Sequence, residues 1–452
     1  MENRERQWRP VLAPDEVPRA LAVARDVAVR LSNGNRMSRA VLASQRSDGS
    51  PSLEWQAHGV ARGYAGLALL WGSAAACMPG EAWDLVGHDQ LRRAARAAEQ
   101  QFPLDHSMFS GLGGLAFASW YLSRQGERYR KALRSIDAAL LSLVTTATVS
   151  FSQGNHHGVS VSTFDVISGL AGVGRYLLLR SGEASHRIAL EGVLRFLVSL
   201  TVEQDGIPHW HTPPRFLAGA SIQDAYPQGN LNCGLAHGIP GPLALLSLAT
   251  RHGITVEGQT EAIRRVAEWL CQHSFEDQWG LNWPNAVPLG LPASPHGATQ
   301  SVSGKLRPSR TAWCYGSPGI ARSLWLAGDA TGEAVFRNTA IGAMEAVYRR
   351  PLRARQIDSP TFCHGVAGLQ QITLRFAHDT GLPLFAEAAC ALHRQMIDAY
   401  EPESTWGYRN PEPNGDLVDR PGVLDGAAGV ALVLLAAATS TEPLWDSVFL
   451  LS

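Results

Sequence analysis

The stretch Phe362–Gly368 reads Phe-Cys-His-Gly-Val-Ala-Gly, so a thiol and an imidazole stand side by side just before two glycines three residues apart. Trp313–Gly319 has the same frame, with a cysteine and a tyrosine at the two corresponding positions. In Ala236–Gly241 a histidine directly precedes the glycine pair. Three copies of one frame thus carry two thiols and two imidazoles at two adjacent positions.

The same frame, Gly-x-x-Gly followed by an apolar run, occurs seven times in the chain. The glycine pairs are Gly63/Gly66, Gly111/Gly114, Gly169/Gly172, Gly238/Gly241, Gly316/Gly319, Gly365/Gly368 and Gly426/Gly429. The runs that follow them, such as Val430–Leu435, are apolar nearly all round, which predicts buried helices. Glycine at the start of such a helix allows a tight turn and a close approach of backbones.

A second kind of helix is predicted before each glycine pair. The candidates are Glu16–Leu31, Trp83–Gln101, Arg128–Val144, Ala184–Leu200, Glu261–His273, Glu333–Arg350 and Leu384–Tyr400. They carry charged residues beside an apolar stripe at helical spacing, for example Leu133, Leu140 and Leu143, as helices at a protein surface do. The chain therefore alternates outer amphipathic and inner apolar helices.

This alternation predicts an all-α fold, a single (α/α)7 toroid domain over residues 1–452 with seven inner and seven outer helices. An open solenoid is less compatible with inner helices this apolar, because it would expose them to water. The connections between outer and inner helices predict short hairpins or turns, as at Asp205–Trp210, Trp279–Pro284 and Trp406–Pro411. The connection at about 274–309 is predicted to be a long loop insertion.

In such a ring the inner helices run parallel, and the residues just before the glycines gather at one end. Cys314, Cys363, His364 and His237 are therefore expected to meet, although they are far apart in the chain. Two thiols and an imidazole suit zinc, with one coordination position left open. The sequence predicts a Zn2+ site at the two cysteines and His364, with His237 in its wall as a proton carrier.

The remaining cysteines and two charged residues can each be explained without a role in the site. An isolated cysteine is most often a buried apolar thiol, and we prefer this reading for the four cysteines outside the frame. They are Cys77, Cys233, Cys271 and Cys390. Asp165 and Arg310 lie a few residues before glycine pairs, and a salt bridge within a loop explains them as well as a role in the site does.

Composition limits the partners and the compartment. Lys and Arg number 39 against 40 for Asp and Glu, which argues against nucleic acid as a partner. The first residues form no export signal, and the longest apolar run, Ala427–Ala438, is too short to predict a transmembrane segment. Six cysteines scattered along the chain indicate a reducing cytoplasm.

The motifs at 164–172, 232–238, 310–316 and 363–368 resemble those of lanthionine synthetase C-like proteins, the family of the lantibiotic cyclases. They read FDVISGLAG, NCGLAHG, RTAWCYG and CHGVAG, and the repeated frame extends the resemblance over nearly the whole chain. The resemblance implies an (α/α) toroid with zinc held by two cysteines and one histidine. By motif match the ligands are Cys314, Cys363 and His364, the acid/base residue is His237, and further active-site residues are Asp165, Arg310 and Tyr315.

The resemblance also implies a zinc-dependent enzyme that closes thioether rings. A cysteine of a precursor peptide adds to dehydroalanine or dehydrobutyrine, which a separate dehydratase has made, and lanthionine or methyllanthionine results. Zinc would present the thiol as thiolate, His237 would carry the proton, and Arg310 would stabilise enolate charge, with Asp165 orienting either partner. The implied partners are a dehydrated precursor peptide with its leader, a dehydratase and an exporter. The implied location is the cytoplasm, with peripheral attachment to a membrane-associated biosynthetic complex as an option.

Three other functions are compatible with the sequence. A related enzyme could use the same zinc to add glutathione or another small thiol to dehydrated residues. A carbohydrate-active (α/α) barrel would need paired carboxylates at the mouth, whereas Asp425 is the one carboxylate directly before a glycine pair. A non-catalytic zinc-containing module for peptide binding would have no need of His237 beside an open zinc position.

Overall fold

The computed structural model describes residues 7–38, 55–124, 126–152, 158–290, 309–412 and 414–452. The chain divides into two compact units, each built from separate stretches of sequence. The first comprises Met1–Asp105, Phe109–Ile136 and Ile357–Asp446, and the second His106–Met108, Asp137–Gln356 and Ser447–Ser452. The single domain predicted over residues 1–452 stays a prediction.

An inner helix begins at each of the glycine pairs. These helices are Tyr64–Cys77, Leu112–Tyr121, Leu170–Leu179, Pro240–Arg251, Ser317–Thr331, Val366–Thr380 and Ala427–Ala438. They are buried along most of their length, and in Ala427–Ala438 every residue is buried. The prediction of buried apolar helices behind the glycines is therefore confirmed.

The outer helices also lie where the amphipathic pattern predicts them. They are Val17–Ser32, Trp83–Gln100, Arg130–Ser152, Ala184–Leu200, Gln259–Gln272, Ala334–Arg349 and Pro383–Asp398. Each of those with described burial buries one face only; the fifth, for example, buries Ile263, Val266 and Leu270 and turns Glu261 and Glu268 to the surface. Shorter helical turns are Val161–Phe164, Pro214–Phe216, Ala220–Ala225, Leu352–Arg355 and Leu444–Phe449.

Within the described ranges, the strands form four small antiparallel sheets of two strands each. The pairs are Glu203–Gln204 with Ile207–Pro208, Asn230–Asn232 with Ala286–Pro288, Phe275–Asp277 with Gly280–Asn282, and Arg409–Pro411 with Leu417–Asp419. The hairpins predicted near Gly206 and Gly280 are present. In the third stretch the strand Arg409–Pro411 lies within the predicted bounds, and its partner Leu417–Asp419 extends the hairpin beyond them.

The stretch predicted as a long loop is partly strand. Phe275–Asp277 and Gly280–Asn282 form a hairpin, and Ala286–Pro288 pairs with Asn230–Asn232 in the register Leu231 to Val287. This distant partner supplies the backbone hydrogen bonds that a loop would lack. Residues 291–308 lie outside the described residues, and an insertion over 274–309 stays a prediction.

Within the described residues, Arg130–Ser150 is long and apolar enough to cross a membrane by length and composition. One such helix is weak evidence, because helices of folded proteins pass the same test. In the middle of this helix Asp137 is buried and accepts a hydrogen bond of 2.6 Å from the Tyr176 hydroxyl. That face therefore packs against the protein.

Both glycines of a pair are needed because the preceding loop folds back over the start of the inner helix. Gly316 has φ +105°, and a Cβ added to it would lie 1.6 Å from the carbonyl oxygen of Arg310. A Cβ on Gly319 would lie 2.4 Å from the carbonyl oxygen of Trp313. A larger residue at either position would push the loop away from the helix.

In the first unit, the turns before neighbouring inner helices are joined by backbone hydrogen bonds. The N–H of Val60 donates to Phe109 O at 2.9 Å, and the N–H of Leu424 donates to Ala61 O at 3.2 Å. The N–H of Cys363 donates in turn to Leu424 O at 2.7 Å. The starts of these inner helices therefore lie side by side within this unit.

The second unit repeats the arrangement. The N–H of Val166 donates to Ala236 O at 3.1 Å, and the N–H of Ala236 donates to Cys314 O at 3.3 Å. The three inner helices that follow these turns thus begin next to one another. These contacts place neighbouring helix starts side by side within each unit, and the prediction that all seven inner helices run parallel stays a prediction.

A buried ion pair ties inner helix Val366–Thr380 to the last residue of the first unit. Arg375 Nε lies 2.7 Å from Asp446 Oδ2, and its NH2 lies 2.8 Å from Oδ1. Gln371 Nε2 donates to the same carboxylate at 2.7 Å. Both charged groups are buried, so each depends on the other for solvation.

Arg375→Met should therefore destabilise the protein strongly, because it removes the guanidinium that makes two contacts with the buried Asp446 carboxylate. We expect a loss of about 3–5 kcal/mol in the free energy of unfolding, measured by unfolding in urea. The matched control is Arg394→Met, since Arg394 pairs with Glu16 at the surface and such exposed pairs contribute little. Equal losses in the two variants would contradict this account of the core.

Candidate active site

Three potential metal ligands lie together. Cys314, Cys363 and His364 each offer one ligand atom, and the three atoms all lie within 4.8 Å of one another. Cys314 is buried and the other two are half-buried. Tetrahedral zinc holds two thiolate sulfurs about 3.8 Å apart, so a set of two sulfurs and one imidazole at this spacing fits a zinc ion.

Backbone contacts position both cysteines. The N–H of Cys363 donates to Leu424 O, and Cys314 O accepts from the N–H of Ala236, as described above. The residues before them are buried aromatic anchors: the Phe362 ring packs edge-on against Trp445 at 5.8 Å between centroids, and Trp313 is fully buried. Because core packing and backbone hydrogen bonds hold these turns, the two thiols have defined positions.

A histidine and a carboxylate form a hydrogen-bonded pair in the second unit. His237 Nδ1 lies 2.6 Å from Asp165 Oδ2. The other oxygen, Oδ1, accepts from the N–H groups of Ser168 at 2.7 Å and Gly169 at 2.8 Å. A carboxylate that accepts from backbone donors leaves the proton on Nδ1, so His237 presents Nε2 to its surroundings.

The two side chains of this pair differ in their exposure to solvent. The Asp165 side chain is 1% exposed and that of His237 is 39% exposed. Sequence reasoning gave a loop salt bridge and a site role equal weight for Asp165. The observed contact is with His237 at 2.6 Å, so the carboxylate orients this imidazole.

Tyr315 lies beside this pair. Its ring is 6.4 Å from the His237 ring between centroids, at an angle of 38°. Burial raises the pKa of Tyr315 to about 12, so the phenol is neutral at neutral pH. Its hydroxyl oxygen lies 3.0 Å from Asn232 Nδ2. The sequence offered Asn232 only as the first letter of a motif, and its side-chain role was missed.

Arg310 is placed differently from the other predicted residues. Its carbonyl oxygen packs against Gly316, while its side chain is exposed. Its guanidinium makes no hydrogen bond or ion pair with the part of the chain that the structure describes. The structure therefore leaves this cation available to a ligand but does not join it to His237.

The four cysteines outside the frame have the properties of structural thiols. Burial raises the pKa of the Cys233 thiol to about 12. Burial also raises the pKa of Cys77, Cys271 and Cys390. A thiol with a raised pKa is a poor metal ligand and nucleophile at neutral pH. None of the four belongs to the three-ligand cluster among the described residues.

Comparisons with known proteins identify a family and a similar fold. The family model described as "Lanthionine synthetase C-like protein" matches residues 54–450. The nisin biosynthesis protein NisC of Lactococcus lactis subsp. lactis is 28% identical over 334 residues, 73% of this chain and 73% of NisC. Among solved structures, nisin cyclase matches with a TM-score of 0.75 at 22% identity, covering 92% of this chain and 96% of its own. The structural match confirms the predicted all-α toroid fold.

Removing one of the three ligands should abolish metal binding. We expect about one zinc ion per chain in the purified protein and a loss of most of it in Cys363→Ala, measured by mass spectrometry of the metal after dialysis. Cys390→Ala is the control, since this thiol lies outside the cluster and contacts the Val11 carbonyl. Full retention of zinc by Cys363→Ala would show that the cluster is not the metal site. Both variants should stay helical by circular dichroism, because the helices pack through their own core.

Proposed function

The chain belongs to the lanthionine synthetase C-like family, and from that premise we propose that it is a zinc-dependent lanthipeptide cyclase. It would add cysteine thiols of a precursor peptide to dehydroalanine or dehydrobutyrine and so form lanthionine and methyllanthionine rings. The observation that carries the proposal is the backbone hydrogen bond from Ala236 to Cys314 at 3.3 Å. It joins the turn of an oriented histidine to the turn of a cluster ligand.

Cys314, Cys363 and His364 would hold the zinc ion. Two thiols and one imidazole leave a fourth position for an outside ligand, as in catalytic zinc sites. A zinc ion bound there lowers the pKa of a thiol in that position and supplies it as a nucleophilic thiolate. The buried turns around the two cysteines would keep this position open, because they hold the ligands in place without the substrate.

His237 would move the protons. The addition forms a bond from sulfur to the β-carbon, removes the thiol proton and generates an enolate, which takes up a proton at the α-carbon. One group can take the first proton and return it, so the net proton count does not change. Nε2 of His237 is suited to this, because Asp165 holds Nδ1 and the ring is partly exposed.

Arg310 and Tyr315 would stabilise the negative charge that develops on the enolate oxygen. The Arg310 guanidinium is exposed and has no partner among the described residues. Tyr315 is a neutral phenol that can donate a hydrogen bond. Donors aimed at the position of developing charge lower the barrier more than they strengthen substrate binding.

The substrate would be a dehydrated precursor peptide that carries its leader. This chemistry requires a dehydratase upstream, because unmodified serine and threonine contain no acceptor double bond. An exporter would act downstream. The protein would work in the cytoplasm, where thiols stay reduced, either free or at the periphery of a membrane-associated complex.

The decisive experiment gives the protein a dehydrated peptide with free cysteines. Cyclisation consumes thiols without a change in peptide mass, whereas addition of glutathione increases the mass by that of the added thiol. We expect loss of free thiol at constant mass. Mass increases that appear only with added glutathione would favour the small-thiol enzyme, and no thiol loss under either condition would favour a binding module.

His237→Asn should separate proton transfer from metal binding. We expect an unchanged zinc content and a rate of cyclisation lower by about 10²–10⁴-fold, the usual contribution of a general acid–base residue. Exposed His88, which contacts Tyr129, provides the control variant His88→Asn with an unchanged rate. Loss of zinc in His237→Asn would make His237 a fourth ligand and rule out the open position.

Asp165→Asn should slow cyclisation, and its whole effect should be exerted through His237. A carboxylate accepts from Nδ1–H, whereas an amide NH₂ group facing Nδ1 donates to it. The amide therefore favours the tautomer that carries the proton on Nε2. We expect a large loss of rate in the wild-type background. In the His237→Asn background we expect less than about a twofold further loss, because the two residues act as one unit. A full additional loss there would assign Asp165 a separate role.

A further inference from the structure

Asn232 makes two hydrogen bonds that fix the direction of its side-chain amide. Its Oδ1 accepts from the N–H of Gly234 at 2.9 Å, and its Nδ2 lies 3.0 Å from the Tyr315 hydroxyl oxygen. A backbone N–H can only donate, so the oxygen must face Gly234 and the NH₂ group must face the phenol. The amide therefore donates to Tyr315.

This donor determines where the Tyr315 proton points. Because the phenol oxygen accepts from Asn232, its own O–H must be directed to another acceptor. The ring lies beside His237, and the hydroxyl donates to no acceptor within the described residues. The phenol proton is thus directed away from Asn232 and available to a ligand.

Asn232 is itself held firmly. It ends the strand Asn230–Asn232, which pairs with Ala286–Pro288. Its carbonyl accepts from the N–H of Ile239 at 3.1 Å, at the start of an inner helix. The strand, the turn at Gly234 and the helix start together give this amide one position, as a residue that orients another must have.

We propose that Asn232 is a positioning residue that presents the Tyr315 hydroxyl proton to the carbonyl oxygen of the dehydrated residue under attack. This inference rests on the proposed cyclase function. The oxygen gains negative charge when the C–S bond forms, so a preset donor stabilises the enolate more than the substrate. The α-carbon receives its proton separately, and the phenol keeps its own.

Asn232→Asp is the sharpest variant, because aspartate has nearly the same shape. Its Oδ1 still accepts from Gly234, but the atom facing Tyr315 becomes an acceptor, and the phenol proton turns toward it. We expect kcat to fall about tenfold, the effect of one hydrogen bond, with little change in KM for the peptide. The kcat of Tyr315→Phe should be lower than that of the wild type by a similar factor.

The double variant separates positioning from a structural effect. In the Tyr315→Phe background, Asn232→Asp should lower kcat by less than about twofold, because the hydroxyl through which it acts is absent. Asn230→Asp is the matched control, a buried asparagine on the same strand for which we expect no such dependence on Tyr315. The same tenfold loss from Asn232→Asp in both backgrounds would overturn the proposal.

A readout without catalysis tests the hydrogen bond itself. In protein labelled with ¹³C at tyrosine Cζ, the Tyr315 signal is identified by its absence in Tyr315→Phe. It should shift in Asn232→Asp and stay in place in Asn230→Asp, with zinc content unchanged in all variants. An unmoved signal would refute the proposal. A shifted signal in a protein that cyclises no peptide would refute the cyclase function and leave the hydrogen bond established.

Discussion

The structure depends on the way a loop closes over the start of each inner helix. The first N–H groups of a helix have no partners within it, and in these helices no side chain caps them. The loop supplies backbone carbonyls instead: Ser359 O accepts from Val366 and Arg420 O from Ala427, each at 2.9 Å. This geometry is compatible only with glycine at Gly316, Gly365 and Gly426, because a Cβ there would meet the returning carbonyl. Because backbone groups cap these helices, the positions just before the glycines can carry other side chains, and they include His237, Tyr315 and His364.

Backbone hydrogen bonds between neighbouring turns fix the two cysteines, each within its own unit. Cys363 donates its N–H to Leu424, and Cys314 offers its carbonyl to Ala236. Each cysteine is thus fixed through its backbone to a neighbouring turn. These bonds hold each cysteine in place within its own unit without a metal ion. In zinc fingers, by contrast, the metal supplies the folding free energy.

The sequence was enough to predict the helices, because each Gly-x-x-Gly is followed by a run that is apolar nearly all round, and the segments between have an amphipathic helical period. Ala184–Leu200 has the predicted bounds. The pairing of Asn230–Asn232 with Ala286–Pro288 could not be predicted, because strands of three residues show no alternation and their partners are distant in the chain. Asn232 was missed for the same reason: its role follows from a contact with Tyr315 that no local pattern encodes. Asp165 stayed ambiguous because a carboxylate near a turn has several common partners, and only the fold selects His237.

The surroundings of Asp165 decide which member of the pair can carry a proton. Its carboxylate accepts three hydrogen bonds, two from the N–H groups of Ser168 and Gly169 and one from His237. These contacts fix the position of the carboxylate, so Asp165 holds the imidazole through Nδ1. The exposed Nε2 edge of His237 is left as the group that can accept a proton and give it back, and in a reaction that ends with the proton count unchanged the carrier has to do both.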